Sequence, residues 1–277
     1  MASLNKSSYR IVAIPGEGIG PEVVEASLTI LRQVAQLEGF ALTLDILIVR
    51  ELVSGIYFGP AGRGTDEKGA YGYHTMWYYD QEIRRIAKVA LQKAQERRGL
   101  LTVAHKENAL PQIPWTRLVQ EEATNFPDVV VSPMLVDNLA MQLVLNPQQF
   151  DVILAGNMFG DILSDIGGAL VGSIGLLGSA SLNNQGLGMY EAIHGTAPDI
   201  AGKGIANPLG TLAGCVLMLQ QWGEIKAAQR ILKAQERLLG KGYRTADLFP
   251  QNHETLVNTA TLVDLFLEEI SLEQLTQ

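Results

Sequence analysis

Apolar residues follow two alternating rhythms along the chain: short runs rich in branched side chains, and longer stretches where they return every three or four positions. Residues 9–14 read as a strand, and Val23, Val24, Leu28, Leu31 and Val34 mark a core-facing helix over residues 21–36. Residues 41–52 are too uniformly apolar for a surface strand and predict one or two buried strands, with Asp45 at a possible join. Residues 55–79 carry two strand-like pieces around a glycine-rich, charged tip, the pattern of a protruding hairpin with exposed aromatics such as Trp77. Helices are expected over residues 81–98, 114–125, 134–144, 209–222, 224–239 and 258–269, with a strand at 128–132 and a buried strand at 150–155. The basic pair Arg97-Arg98, at the end of the first of these helices, is expected in solvent.

Candidate chemistry gathers between residues 156 and 208. Asp161 and Asp165 stand four apart in an apolar-periodic segment, so a helix would place both carboxylates on one face, where they could share a hard divalent cation. His194-Gly195-Thr196-Ala197-Pro198-Asp199 follows, with small residues that admit a flat ligand, a stiffening proline and an acid suited to a ribose diol. Gly202 and Gly204 are expected only to turn the chain. Asp137 falls early in a predicted helix, where the dipole alone would favour it; with Asp161 and Asp165 it makes an all-oxygen set suited to Mg²⁺ or Mn²⁺. Lys106 and Asn108 follow a buried strand, where function often sits in α/β proteins, although a lone lysine there is commonly idle. Near the start, Gly16, Gly18 and Gly20 follow a GxGxG spacing that suits a tight turn as well as a phosphate cradle.

Composition narrows the class. A chain of 277 residues with 47% hydrophobic and 18% charged residues can bury a large core, or two. A net charge of −8 argues against a nucleic-acid partner. The single cysteine, Cys215, lies in an apolar run and reads as a small core residue; it forbids an intrachain disulfide and fits a reducing cytoplasm. No apolar run is long enough for a signal peptide or a bilayer span, so no membrane partner is expected. His105 has no metal-spaced partner among His74, His194 and His253.

The motifs IPGEGIGPEVV, IVRELVSGIYFG and HGTAPDIAGKGIANP, in that order, resemble the NAD-dependent β-decarboxylating dehydrogenases, the isocitrate/isopropylmalate dehydrogenase family, and within it the isopropylmalate branch. The resemblance implies an α/β fold of that type rather than a Rossmann fold, with two domains around a mixed sheet. It divides the chain into a discontinuous nucleotide-binding domain, residues 1–44 and 172–277, and a substrate, metal and dimerisation domain, residues 45–171, whose arm spans about residues 55–79. It implies a homodimer with shared active sites, in which Lys106 and Asp137 reach the neighbouring subunit's site. Asp137, Asp161 and Asp165 would hold Mg²⁺ or Mn²⁺, Arg50 and Asn108 would bind substrate, Lys106 would assist deprotonation of the substrate hydroxyl, and Tyr57 would donate a proton. Glu191, His194, Gly195, Thr196, Ala197, Pro198, Asp199, Ile200 and Asn207 would form the adenosine end of the cofactor site, with Asp199 favouring NAD over NADP.

The chain also departs from that pattern. A block that in the relatives separates the first α/β unit from the VREL strand is missing, and with it two of three substrate-binding arginines and a nicotinamide-side loop. Charge-assisted contacts contribute on the order of 1.5–3 kcal/mol each, so two lost together remove roughly two to four decades of substrate binding. The expected activity is oxidative decarboxylation of a 2-hydroxy dicarboxylic acid of the 3-isopropylmalate type; the alternative is an NAD- and metal-binding paralogue acting as a partner subunit.

Overall fold

The computed structural model describes residues 8–9, 41–42, 46–183, 185 and 187–272. The predicted first helix, the glycine turn before it and Asp45 lie outside the described residues. The chain divides into two compact units, Met1–Leu170 and Val171–Gln277. Among the described residues no helix is long and apolar enough to cross a membrane.

In the first unit, two short parallel strands, β1 (Ser8–Tyr9) and β2 (Ala41–Leu42), pair with each other. The core is a parallel sheet of β3 (Leu47–Arg50), β6 (Leu100–His105), β7 (Val130–Leu135) and β8 (Val152–Ala155), in the order β3-β8-β6-β7. β8 reads Val-Ile-Leu-Ala and is buried at every position. Its alternate residues enter opposite cores. Val152 and Leu154 pack with α1 (Asp80–Gln95) and α2 (Trp115–Ala123) through Ile83, Leu91, Leu118 and Val119. Ile153 and Ala155 pack with α3 (Val136–Leu145) and α4 (Asn157–Val171) through Leu139, Leu143 and Leu163. Helices therefore cover both faces, as a parallel sheet requires. Pro133 lacks an amide hydrogen, and β7 tolerates it because that strand is an edge.

Helix α1 shows how local chemistry sets a boundary. The Tyr79 amide donates to the Glu82 carboxylate at 2.9 Å, closing the first turn, and Asp80 and Glu82 sit at the positive end of the dipole. Between β3 and α1 lies an antiparallel hairpin, β4 (Ala61–Asp66) and β5 (Gly69–His74), joined through Glu67 and Lys68; β5 is exposed throughout.

Two expectations need correction. The apolar run through residue 52 does not stay buried: β3 ends at Arg50, and Leu52 and Val53 are exposed because Glu51, itself buried, turns the chain by accepting the Val53 and Ser54 amides at 2.9 and 3.0 Å. Arg97 and Arg98 are not simply solvated. Arg97 Nε donates to the wholly buried Asp151 carboxylate at 2.9 Å and the Arg98 amide donates to it at 2.8 Å, while the Arg98 guanidinium reaches the Phe150 carbonyl. A carboxylate buried at the mouth of β8 requires such partners.

The second unit joins an antiparallel hairpin, β9 (Gly178–Leu182) and β10 (Gly188–Ala192), to three helices, α5 (Leu209–Gln221), α6 (Ile225–Gly240) and α7 (Thr259–Leu272). Leu209, Ala234, Leu238, Leu262 and Phe266 make its core. Cys215 lies in α5 and is half-buried rather than fully enclosed. A short parallel pair, β11 (Tyr243–Arg244) and β12 (Thr255–Leu256), completes the unit.

Asp151→Ala should lower stability by about 1.5–3 kcal/mol, because it strands a guanidinium and the Arg98 amide together. The urea midpoint should fall with the slope unchanged, and an unaltered midpoint would show that Asp151 does not anchor β8.

Candidate active site

Parallel strands end together at one edge of the sheet, and the candidate residues of the first unit follow those ends. Arg50 is the last residue of β3, Lys106 follows β6, Asp137 is the second residue of α3 after β7, and Asn157 opens α4 two residues past β8. β3 and β8 pair with Arg50 opposite Ala155, so the arginine side chain reaches the first turns of α4.

There the guanidinium is held on three sides. Nη1 donates to Asp161 Oδ1 at 2.6 Å, and Nε and Nη2 both donate to Asn157 Oδ1, at 3.1 and 2.8 Å. Gly160 lies under the stem: a Cβ there would come within 2.6 Å of Arg50 Cγ. Tyr57, on the exposed segment after β3, donates its hydroxyl to Asp161 Oδ2 at 2.8 Å. That hydrogen bond, then burial and the carboxylate charge, raise the Tyr57 pKa above the ordinary phenol value, with Arg50 opposing. Tyr57 therefore stays protonated. Asp165 lies one turn beyond Asp161 on the same helix and is exposed.

A second cluster forms at the ends of β6 and β7. Lys106 Nζ lies 2.9 Å from Asp137 Oδ2, and this hydrogen bond is the main reason the Asp137 carboxyl sits below its ordinary range. The Lys106 carbonyl accepts the Ala109 and Leu110 amides, forming a turn that leaves Asn108 exposed. Among the described residues no three His, Cys, Asp or Glu side chains come together to hold a metal. Asp137 does not join Asp161 and Asp165 within one chain.

Behind the first cluster stands a residue that sequence reasoning passed over. The Asn157 side chain, 1% exposed, donates from Nδ2 to the Ser54 carbonyl at 2.9 Å, and its amide donates to the Tyr78 hydroxyl at 2.8 Å. Burial pushes the Tyr78 phenol up to about 12. The ring packs edge-on against Trp115. Met76, Lys106, Leu110, Trp115 and Phe159 line a small cavity beside Tyr78. The available signal was the spacing 157, 161, 165, which extends the acidic pair into a polar stripe at helical period.

The cofactor candidates lie in the second unit. Glu191 is an exposed residue of β10, and residues 194–200 form a turn in which the Ile200 amide donates to the Ala197 carbonyl at 3.1 Å. His194 Nδ1 lies 3.0 Å from the Gly195 carbonyl, which fits the tautomer protonated at that nitrogen. Thr196, Pro198 and Asp199 are exposed, Ala197 and Ile200 half-buried, and Ala197 takes a φ of +40°. Gly202 and Gly204 both have positive φ and turn the chain. Asn207 is buried: its Oδ1 accepts the Leu209 amide at 3.0 Å, two residues on, and its Nδ2 donates to Asp247 at 3.0 Å. An adenine contact would therefore use the second amide hydrogen or the backbone. Gly195 is informative because neither a positive φ nor packing calls for it; an added Cβ would meet nothing within 4 Å. Its small size fits an approaching ligand better than a need of the fold.

The family model for isocitrate/isopropylmalate dehydrogenase matches residues 37–266. The chain belongs to the isocitrate/isopropylmalate dehydrogenase family. It is 53% identical over 209 residues to 3-isopropylmalate dehydrogenase of Nitrosomonas europaea, covering 74% of this chain and 59% of that one. It is 51% identical over 225 residues to the same-named protein of Methylococcus capsulatus, covering 80% and 62%. The chain thus spans about 60% of the length of these curated relatives. Among solved structures, isocitrate dehydrogenase from Methylococcus capsulatus matches with a TM-score of 0.72 at 26% identity, over 95% of this chain and 99% of that one. The TT0538 protein from Thermus thermophilus shares the fold, with a TM-score of 0.74 at 23% identity, over 95% of this chain and 67% of that one. These matches bear out the α/β fold of the family.

Tyr78→Phe should cost about 1–3 kcal/mol by leaving the buried Asn157 amide unpaired. Since the folded pKa of Tyr78 lies above its unfolded value, the contribution of its neutral form is complete below pH 10 and lost as pH rises towards about 12. Urea midpoints of parent and variant should therefore converge over that window; a constant gap would exclude ionisation of Tyr78 as the cause.

Proposed function

We propose that the chain acts as an NAD-dependent, divalent-metal-dependent dehydrogenase that oxidises and decarboxylates a 2-hydroxy dicarboxylic acid of the 3-isopropylmalate type, in a homodimer with shared sites. The observation that carries the reading is the split at the sheet edge. One cluster holds Arg50, Tyr57, Asp161 and Asp165, and the other holds Lys106 and Asp137. A pair of copies could bring one cluster of each chain together with the complementary cluster of the other, completing a three-carboxylate set with a lysine beside it. The donor set fits the metal: all three are carboxylate oxygens, suited to Mg²⁺ or Mn²⁺.

Asp137, Asp161 and Asp165 would hold the cation, which would supply Lewis acidity to the substrate hydroxyl, and NAD⁺ held in the second unit would supply the hydride acceptor. The protein's own groups do the rest. Lys106, held against Asp137, assists removal of the hydroxyl proton. Arg50 presents a planar fork to a substrate carboxylate, which a bidentate contact fixes in register. Loss of CO₂ leaves an enolate, and Tyr57, whose hydroxyl stands at the same cluster 2.8 Å from Asp161 Oδ2, returns a proton to carbon. The open space at Gly195 and the exposed Asp199 carboxylate support an unmodified ribose at the cofactor's adenosine end, hence NAD.

The lengths of the curated relatives favour a second reading. With matches that cover about 60% of their length, and without the block expected to carry two arginines, the chain could bind cofactor and metal as a partner of a complete paralogue.

NADH formation with NAD⁺ and Mg²⁺ or Mn²⁺ over a panel of 2-hydroxy dicarboxylates separates these readings, since turnover on any member supports the first and none, alongside NAD binding, supports the second. Shared sites make a sharper claim. Lys106→Ala and Asp161→Ala chains, each inactive alone, should recover roughly a quarter of the parental rate when coexpressed equally, because half of random dimers are mixed and each carries one intact site. Absence of recovery would refute the sharing. Gly195→Ala should leave the melting temperature unchanged and weaken NAD binding by calorimetry roughly tenfold, a shift of about 1.4 kcal/mol. Unchanged affinity would remove the loop from the cofactor site.

A further inference from the structure

Arg50 faces a problem of charge. Its Nη1 is compensated by Asp161, yet the proposed reaction assigns Asp161 to a cation and Arg50 to a substrate carboxylate. If Asp161 were its only anchor, the guanidinium would lose its orientation as soon as that carboxylate turned to the metal. It has a second anchor that no charge change disturbs. Asn157 Oδ1 accepts from both Nε and Nη2, along the edge of the guanidinium opposite to the use made of Nη1.

We propose that Asn157 is a positioning residue for substrate binding, holding the Arg50 fork in plane whether or not Asp161 is engaged elsewhere. This rests on the reading of Arg50 as the substrate-binding arginine. The Asn157 amide is fixed in its turn. Nδ2 donates to the Ser54 carbonyl, which the buried Glu51 carboxylate places by accepting the Ser54 and Val53 amides, and Glu51 is itself 3.2 Å from Arg85. The Asn157 backbone is pinned by Tyr78. With Nδ2 committed to a carbonyl, Oδ1 is the atom that must face Arg50, so the side-chain flip is determined by its partners. A neutral acceptor suits the task. It orients the guanidinium without neutralising the charge the substrate carboxylate needs, whereas a second carboxylate at the same place would compete with substrate.

Two readouts on the full chain test this. The first is the Nε–Hε resonance of Arg50 in protein carrying isotope-labelled arginine, assigned by its loss in Arg50→Lys. In Asn157→Ala its exchange with water should accelerate roughly tenfold, the value of one ordinary hydrogen bond. Asn157→Asp keeps the oxygen towards Arg50 while losing the donor to Ser54, and should restore slow exchange; an effect that came only from a loosened Ser54 segment would not be rescued. The second readout is dicarboxylate affinity by calorimetry with Mn²⁺. Asn157→Ala should weaken 3-isopropylmalate roughly tenfold in the parent and leave affinity unchanged in an Arg50→Ala background, because a residue acting through Arg50 has nothing left to act on. An Arg50 resonance unaffected by Asn157→Ala overturns the inference by itself, as does equal weakening in both backgrounds. An Arg50→Ala chain that binds the dicarboxylate as tightly as the parent overturns it by another route, by removing the substrate role of Arg50 on which it rests.

Discussion

The burial of β8 on both faces is the constraint from which the first unit follows. A four-residue strand with every side chain enclosed can be accommodated only at the centre of a sheet covered by helices above and below. Parallel neighbours on each side then end at the same edge, and the helices begin there. Arg50, Lys106, Asp137 and Asn157 are separated by tens of residues along the chain, yet all belong to the first positions at or after those strand ends. Polar groups at that edge are free of the ladder and meet the positive ends of α3 and α4, which makes the edge the natural place for carboxylates and for what they bind. The chemistry is thus a consequence of where apolar burial stops.

The same logic explains what could be read from the sequence. Helix α1 and strand β8 were legible because their signals are local: Ile83, Ala87, Ala90, Leu91 and Ala94 repeat on one face, and Val152–Ala155 is apolar without interruption. Asp161 and Asp165 were legible because the helical period is itself a sequence property. Failures occurred where a partner lies far away in sequence. Arg97 and Arg98 look like an exposed basic helix end until Asp151, more than fifty residues on, is brought beneath them. Leu52 and Val53 continue an apolar run, but Glu51 captures their turn with its own carboxylate, and composition alone does not reveal that competition.

Asn157 failed to register for a related reason. Asparagine at a helix start has an ordinary explanation as a cap, so its identity carries little weight by itself. Here the side chain does not cap the helix. It points back to Ser54 and Arg50, in a segment that the sheet brings alongside. Asn207 is the converse case. Its place in a candidate ligand motif suggests an outward amide, whereas the Leu209 amide and Asp247 hold it in the interior of the second unit. The residue type was compatible with both uses, and only long-range geometry distinguishes them.

Electrostatics gives the first cluster its character. Asp161 is bracketed by a guanidinium on one oxygen and a phenol on the other, so both of its oxygens already accept hydrogen bonds from the protein's own side chains. A divalent ion at Asp161 must compete with Arg50, and the outcome depends on where the displaced guanidinium goes. With Asn157 accepting from Nε and Nη2, Arg50 would keep its plane, and a substrate carboxylate arriving at Nη1 would replace the one that turned away. Metal and dicarboxylate would then each make room for the other: the cation draws Asp161 from Arg50, and the carboxylate compensates the charge thereby exposed. Such an exchange would leave neither charge without a partner, which is the condition under which a half-exposed ion pair can open at small cost.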